Sequence, residues 1–130
     1  MNVAEFFEQY QDAFNAKKLE QLIPYYFLPT VFMNADEKLI FMRTEQIEDY
    51  LQQVFAEGVE KGVDRISVDV RQVMKLAKNI MFCNVEWHFF DTDGRDFSSS
   101  QVSYTLQLED DSHPKIIAIV RDKEPEFGSI

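Results

Sequence analysis

Residues 80–94 read IMFCNVEWHFFDTDG, and this stretch decides the fold. Successive side chains of a β-strand point to opposite faces, so its alternation predicts a long strand over Ile80–Phe90. The side chains that share its apolar face are Met81, Cys83, Val85, Trp87 and Phe89. The opposite face carries Phe82, Asn84, Glu86 and His88. The turn Asp91–Arg95 follows, and its Asp-Gly pair favours the positive φ of a tight hairpin.

Three more strands are predicted around this hairpin. The preceding strand lies between Asp64 and a turn at Lys78-Asn79, and its apolar face carries Ile66, Val68, Val70, Met74 and Leu76. In the following strand, Ser98–Glu109, the apolar face carries Val102, Tyr104, Leu106 and Leu108. A turn at Asp110–Pro114 leads to a last strand, Lys115–Arg121, with one face formed by Ile117 and Ile119. Consecutive hairpins of this kind form an antiparallel meander.

Helical periodicity dominates the first half of the chain. Apolar residues recur at intervals of three and four in a first helix over Val3–Ala16, and this stripe contains Val3, Phe6, Phe7, Tyr10, Ala13 and Phe14. A short second helix is predicted from Lys18, with Pro24 near its end and the cluster Tyr25–Phe27 continuing or closing it. Its buried side chains are expected to be Leu19, Leu22 and Ile23.

A small hairpin and a third helix complete the first half. The hairpin is predicted from the short strands Thr30–Asn34 and Leu39–Met42. Thr44 is a plausible N-cap for the third helix, because its hydroxyl can accept from a free backbone N–H. The inward stripe of this helix is Ile47, Leu51, Val54 and Phe55. Gly58 or Gly62 is expected to end it.

These elements predict one α+β domain over residues 1–130, with a loosely held tail at 125–130. Strands of ten or more residues twist and curl, so we expect a curved antiparallel sheet. The three helices must then cover its concave, more apolar face.

Composition excludes several classes of partner. The formal net charge is −10 and the isoelectric point is near 4.5, so the surface repels nucleic-acid phosphates and anionic lipids. The longest apolar run, Leu22–Met33, contains Pro24 and Pro29 and is shorter than the roughly 20 residues of a membrane span. With one cysteine, Cys83, and no visible signal peptide, we expect a cytoplasmic protein.

The order of elements resembles the nuclear transport factor 2-like superfamily, which includes SnoaL-like and ketosteroid-isomerase-like proteins. The resemblance covers about Val3–Lys123, and its most telling stretches are Leu22–Phe32, Val85–Trp87 with the turn Asp91–Gly94, and Pro114–Ile119. It implies a cone-shaped domain with a pocket between helices and sheet, and pairing of two copies through the outer faces of their sheets.

The chain departs from common patterns of this superfamily at three places. Arg43 stands where a glycine is frequent, and Pro114 stands where an aromatic residue commonly opens the last strand. Steroid-isomerase-like members have a catalytic aspartate near the end of the first strand, where this chain has Met33 and Asn34. An amide cannot act as a carboxylate base, so that isomerase mechanism is not expected.

Three sets of site residues are predicted. A ligand pocket is predicted from the aromatic residues Tyr10, Phe14, Phe32, Phe55, Trp87 and Tyr104. A dimer contact on the polar sheet face is predicted from Asn84, Glu86, His88, Gln101, Ser103 and Thr105. Glu86 and His88 share a face as an acid/base candidate, but we expect them on the outer surface. No metal site or cofactor is predicted, because the spacing of His88, His113 and Cys83 fits none.

The leading hypothesis is therefore a small homodimeric protein whose pocket binds a modest apolar or aromatic molecule. One alternative is a lyase, isomerase or hydrolase that uses the same pocket through a tyrosine or through Glu86 and His88. Another is a protein-interaction module that uses the outer sheet face alone. Composition and motifs do not choose between them.

Overall fold

The computed structural model describes residues 2–109 and 113–121. Its helices are α1 (Val3–Asn15), α2 (Leu19–Leu22), a 3₁₀ turn (Ile23–Tyr25) and α3 (Thr44–Glu60). Its strands are β1 (Tyr26–Met33), β2 (Lys38–Phe41), β3 (Arg65–Ala77), β4 (Ile80–Phe90), β5 (Asp96–Glu109) and β6 (His113–Arg121). None of the helices in these ranges has the length and apolar character that a membrane crossing requires.

The strands form one curved, unclosed sheet in the order β2-β1-β6-β5-β4-β3. Neighbouring strands are antiparallel except β1 and β6, which run parallel and join the small hairpin to the meander. The predicted α+β class, with a long-strand meander around helices from the first half of the chain, is confirmed. One buried cluster joins the inner sheet face to α1 and α3, and it includes Phe7, Trp87 and Tyr104.

Two boundaries in the first half differ from the sequence-based expectation. Tyr26 and Phe27 do not continue the second helix: β1 begins at Tyr26, which pairs with Ile116 of β6. Pairing with a distant strand overrides the local helical pattern here. Arg43, not Thr44, is the N-cap of α3, because the Gln46 side chain accepts the backbone N–H of Arg43 at 3.1 Å.

β-bulges correct three predicted side-chain directions. The pairing of β3 with β4 shifts between Val70 and Gln72, so Met74 pairs with Phe82 on the outer face and not with the inner set. Leu76, predicted on the inner face, is 55% exposed. In β6 a similar shift buries Ile116 and leaves Ile117 half-buried. A bulge inserts one extra residue into a strand, and the side chains that follow it then point to the opposite face of the sheet.

Side chains of α1 bind the backbone of β3, which is an edge strand of the sheet. Asn15 donates to the carbonyl of Ile66 and accepts from its N–H, both at 2.9 Å. Gln11 accepts from the N–H of Val68, also at 2.9 Å. These three bonds satisfy backbone groups that an uncovered edge would leave open to another strand. They also hold the end of α1 at the beginning of β3.

Two predicted segments extend beyond the residues that the structure describes. The turn between β5 and β6 was predicted at Asp110–Pro114, of which His113 and Pro114 lie in β6. The other residues of that turn and the predicted tail at 125–130 are outside the described ranges.

Replacing Asn15 by alanine is expected to destabilise the fold by about 1–3 kcal/mol, because it leaves the N–H and carbonyl of Ile66 without their partner. Chemical denaturation followed by Trp87 fluorescence measures the change. Asp12→Ala, an exposed site on the same helix, is the matched control and should change stability by less than about 0.5 kcal/mol. Equal effects of the two substitutions would contradict the proposed role of Asn15.

Candidate functional site

A cavity of about 280 Å³ lies at one end of the domain, where α1, α3, β3 and β4 meet. Its apolar wall includes Phe14 at the end of α1, Val54 and Phe55 on α3, Ile66 on β3 and Phe89 on β4. The Phe14 and Phe55 rings are in tilted contact, with centroids 5.0 Å apart. Because these side chains come from separate elements, the cavity exists only in the folded chain.

Charged residues surround this apolar wall. Four line the cavity and are exposed to solvent: Lys17, Glu57, Asp64 and Arg65. Two positive and two negative side chains balance, although the whole chain has a formal net charge of −10. The cavity therefore combines an apolar interior with a rim of no net charge, which suits a neutral ligand better than an ion.

Backbone hydrogen bonds hold the loop that closes one side of the cavity. Gly62 has a φ of +85°, a left-handed conformation that glycine adopts without a steric cost. The N–H of Val63 then donates to the carbonyl of Gly58 at 2.8 Å. The N–H of Asp64 donates to the carbonyl of Phe90 at 2.7 Å. These bonds hold the loop that joins α3 to β3 and attach it to the end of β4.

The six aromatic residues predicted for a pocket separate into two groups. Phe14 and Phe55 line the cavity, whereas the other four lie in the buried core and are not among its lining residues. Trp87 donates from Nε1 to the hydroxyl of Tyr104 at 3.0 Å. The Tyr10 ring centroid is 5.9 Å from that of Trp87. Phe32 packs against Tyr50, with centroids 5.4 Å apart.

Buried phenols form a polar cluster inside this aromatic core. The hydroxyls of Tyr10 and Tyr26 are hydrogen-bonded to each other. Burial raises the pKa of Tyr10, Tyr26 and Tyr104 above the usual value, and the neighbouring Tyr26 phenol raises the pKa of Tyr10 and Tyr104 further. These phenols are therefore hydrogen-bonding groups at neutral pH, and none is an activated base.

The outer sheet face carries a continuous row of side chains, which we call the outer row. Cross-strand pairing connects its members through all six strands. They are Met74, Phe82, Thr105, Ala118, Val31 and Ile40. Five of the six are apolar, and Met74 and Ile40 are 47% and 54% exposed. The four middle members are half-buried, so the row forms an apolar stripe along the outer face with exposed ends.

The side chains predicted for a dimer contact lie beside the outer row. Asn84 and Ser103 pair across β4 and β5, and the Asn84 amide donates to the Ser103 hydroxyl at 3.0 Å. Glu86 pairs with Gln101 in the next position. Thr105 belongs to the outer row itself. The sequence placed these residues on the correct strands. They also share one face, because β4 and β5 pair without a register shift between Ile80 and Phe89.

Glu86 and His88 contact each other, as their spacing along one strand suggests. Oε1 of Glu86 lies 3.2 Å from Nε2 of His88. Neither residue lines the cavity, and each alternates with the buried residues of β4. An acid/base pair at this position could act only on a molecule bound to the outer face.

Cys83 is a packing residue on the inner face of β4. It is fully buried, and burial raises the pKa of its thiol to about 11. A thiol is a poor nucleophile when so little of it is ionised at neutral pH. This agrees with its predicted place among the apolar side chains of the strand.

The family model described as NTF2-like protein (DUF6841) matches residues 2–124 of the chain. The match covers most of the sequence, so the chain belongs to this family. The structural resemblance predicted from the order of the elements is thereby confirmed. No curated protein matches the sequence significantly.

Solved structures agree with this assignment at low sequence identity. An NTF-2 like protein of unknown function from Shewanella oneidensis superposes with a TM-score of 0.74 and 9% identity, over 93% of this chain and 96% of that one. A domain of unknown function with a cystatin-like fold from Nostoc punctiforme has a TM-score of 0.71 and 18% identity, over 95% and 80%. A ketosteroid isomerase-like protein from Erwinia carotovora has a TM-score of 0.66 and 14% identity, over 95% and 98%. These likenesses establish the fold alone.

Sequence reasoning missed most of the cavity wall. Val63, Ile66 and Phe89 line it, and none of them was among the residues predicted for a pocket. Gly58 and Gly62 indicate the end of α3 in the sequence, but not that a cavity lies beside it. The distance between α1 and α3 there is a tertiary property and has no sequence signal.

Alkaline titration should distinguish the buried phenols. Because their pKa is raised in the fold, the unfolded chain ionises first, and stability should fall as the pH rises through the ordinary value of 10.0. Phenolate absorbance should show a group of tyrosines that ionise only with unfolding, whereas all five ionise near pH 10 in denaturant. Reversible ionisation of every tyrosine near that pH in the folded protein would contradict the burial of this cluster.

Proposed function

We propose that this protein binds a small, neutral apolar or aromatic molecule in the cavity between α1, α3 and the β3–β4 end of the sheet. The observation that carries this proposal is an apolar wall of separate aromatic and aliphatic side chains inside a rim of balanced charge. Ligand sites in proteins commonly combine such a wall with a few polar groups at its edge.

The size of the cavity limits the ligand. Its volume of about 280 Å³ is just below the range of about 300–1,000 Å³ that is usual for small-molecule sites. A molecule of one or two fused rings is therefore the appropriate class. Phe14 and Phe55 offer ring faces and edges to such a ligand, and aromatic pairs add about 0.5–1.5 kcal/mol beyond burial.

We further propose that two copies pair through the outer row and the polar residues beside it. The row is mostly apolar, crosses every strand, and is exposed at Met74 and Ile40. A second copy of the same surface is its natural occupant, because a two-fold axis places identical rows against each other. The polar predicted set, including Asn84 and Gln101, would then form the rim of the contact.

The enzyme hypothesis has less support than the binding hypothesis. Its best candidates, Glu86 and His88, are outside the proposed ligand cavity. The core tyrosines are buried, and raised pKa values keep Tyr10 and Tyr104 protonated.

We also keep the cytoplasm as the proposed location, because a buried free thiol at Cys83 needs no oxidising compartment.

Indole is a suitable probe for the cavity, because it is neutral and has two fused rings. We expect saturable binding with backbone amide NMR shifts concentrated at Phe55, Ile66 and Phe89. Val63→Phe places a larger side chain in the cavity wall and should weaken binding at least about tenfold, equivalent to about 1.4 kcal/mol.

Val73→Phe provides the matched control for this experiment. It makes the same substitution on β3 at a position that is 49% exposed and is not among the cavity-lining residues. Indole should bind this variant as it binds the original chain. Shifts centred on Trp87 and Tyr104, or no saturable binding, would count against the proposed cavity.

The dimer is tested by light scattering. We expect a mass near twice the 15.3 kDa of the chain, and Ile40→Lys should raise the dimer dissociation constant at least about tenfold, because it places an unpaired charge in the apolar row. Val59→Lys, on α3 and 71% exposed, should leave the mass unchanged. A monomer at high concentration would exclude this part of the proposal.

A further inference from the structure

Four ionisable side chains meet on the outer face where β3, β4 and the start of β5 lie together. Nε2 of His88 is 3.0 Å from Oδ2 of Asp69 and 3.2 Å from Oε1 of Glu86. Nδ1 of the same ring is 2.9 Å from Oδ2 of Asp96. Three carboxylates thus surround one imidazole, two at one ring nitrogen and one at the other.

Oxygens of Asp69 and Glu86 both face Nε2 of His88, so a positive charge is favourable at this position. A carboxylate only accepts hydrogen bonds, and a neutral imidazole has a single N–H. If that N–H donates from Nδ1 to Asp96, the lone pair of Nε2 faces the oxygens of Asp69 and Glu86. A cation bound between these atoms offsets the repulsion, and the guanidinium of Arg71 does so in part.

The ligand atoms of Asp69, Glu86 and His88 lie close enough together for one metal ion to contact all three. In a tetrahedral zinc site with bonds of about 2.0–2.1 Å, ligand atoms are about 3.3 Å from one another. The separations of 3.0 and 3.2 Å from Nε2 agree with this, and all three ligand atoms lie within 4.8 Å of one another. Asp96 contacts the other ring nitrogen, Nδ1, and orients the imidazole, as carboxylates commonly do for metal-binding histidines.

We propose that Asp69, Glu86 and His88 form a binding site for a divalent transition-metal ion of the Zn²⁺ type. One imidazole nitrogen and two carboxylate oxygens leave at least one coordination position for water. Asp96 is a positioning residue that orients the ring and does not bind the ion. The imidazole distinguishes this set from the all-oxygen sites that Mg²⁺ and Ca²⁺ prefer.

Local charge supports the same conclusion. Three carboxylates and the guanidinium of Arg71 leave an excess of negative charge when the imidazole is neutral, and a divalent ion balances it. Arg71 is hydrogen-bonded to Glu86 and lies 3.9 Å from Oδ2 of Asp69, so it competes with the ion for both ligands. Its side chain is 54% exposed, so it can swing into solvent when the ion binds.

The site was not predicted from the sequence, because its ligands come from two strands. His88 and Glu86 are two residues apart on β4, whereas Asp69 belongs to β3 and pairs directly with Glu86. Spacing along the chain therefore could not reveal the cluster. The site lies beside the proposed dimer contact but does not depend on the ligand cavity, so its test is separate from both.

The two histidines of the chain provide a direct assay in protein without an affinity tag. Imidazole ¹H–¹⁵N spectra recorded during a Zn²⁺ titration should show saturable shifts of His88 and none of His113, with one ion bound per chain by calorimetry. Mg²⁺ at the same concentrations should leave both signals unchanged. Co²⁺ should broaden the His88 signals selectively.

Three variants and one matched control test the assigned roles. His88→Gln should weaken Zn²⁺ binding by more than about tenfold, and His113→Gln is its matched control with unchanged binding. Asp96→Asn should weaken binding by about ten- to a hundredfold while the stoichiometry is kept, as expected for a residue that acts through the ring. Arg71→Gln should strengthen binding several-fold, a gain that damage to the fold cannot imitate.

Several results would overturn the proposal. These are no saturable Zn²⁺ binding by the original chain, equal shifts of the two histidines, or unchanged binding in His88→Gln. Weaker binding in Arg71→Gln would also overturn it, because it would show that the guanidinium supports the site and does not compete with the ion. Light scattering with and without Zn²⁺ shows whether occupancy changes the mass, and it reports on the dimer independently.

Discussion

The paired hydrogen bonds between the Asn15 amide and the backbone of Ile66 are the constraint on which the proposed ligand site depends. They join the last turn of α1 to the first residues of an edge strand, both at 2.9 Å. Asn15 and Ile66 also line the cavity, so the same contact covers the sheet edge and sets the cavity wall. An amide side chain suits this position because it can donate and accept at once.

The two faces of the sheet have different chemistry because β4 alternates strictly. Its inner side chains Cys83, Val85, Trp87 and Phe89 are fully buried. The Trp87 indole and the Tyr104 hydroxyl satisfy each other there, which lets polar atoms lie in a dry core. The outer side chains of the same strand leave room for an apolar contact near Phe82 and for the charged cluster at Glu86 and His88.

Membership of the NTF2-like family establishes the fold of this chain but not its chemistry. The compared structures are 9–18% identical to it, so their side chains say little about its site. The chain's own contacts provide two candidate sites: an apolar cavity at one end, and a separate charged cluster on the outer face. Phe14 and Phe55 are the predicted pocket residues that this cavity uses.

The sequence by itself determined the class, the order of the elements and the faces of β4, because periods of 3.6 and 2 record which side of each element is buried. Tertiary structure decided the rest. Bulges place Met74 on the outer face and Ile116 on the inner face. One inserted residue moves the following side chains of a strand to the opposite face, and the amino-acid composition gives no sign of it. Pairing of β3 with β4 brought Asp69 to His88, and packing of α1 against β3 and α3 left the cavity open. Both are distances between segments remote in sequence, which local periodicity does not encode.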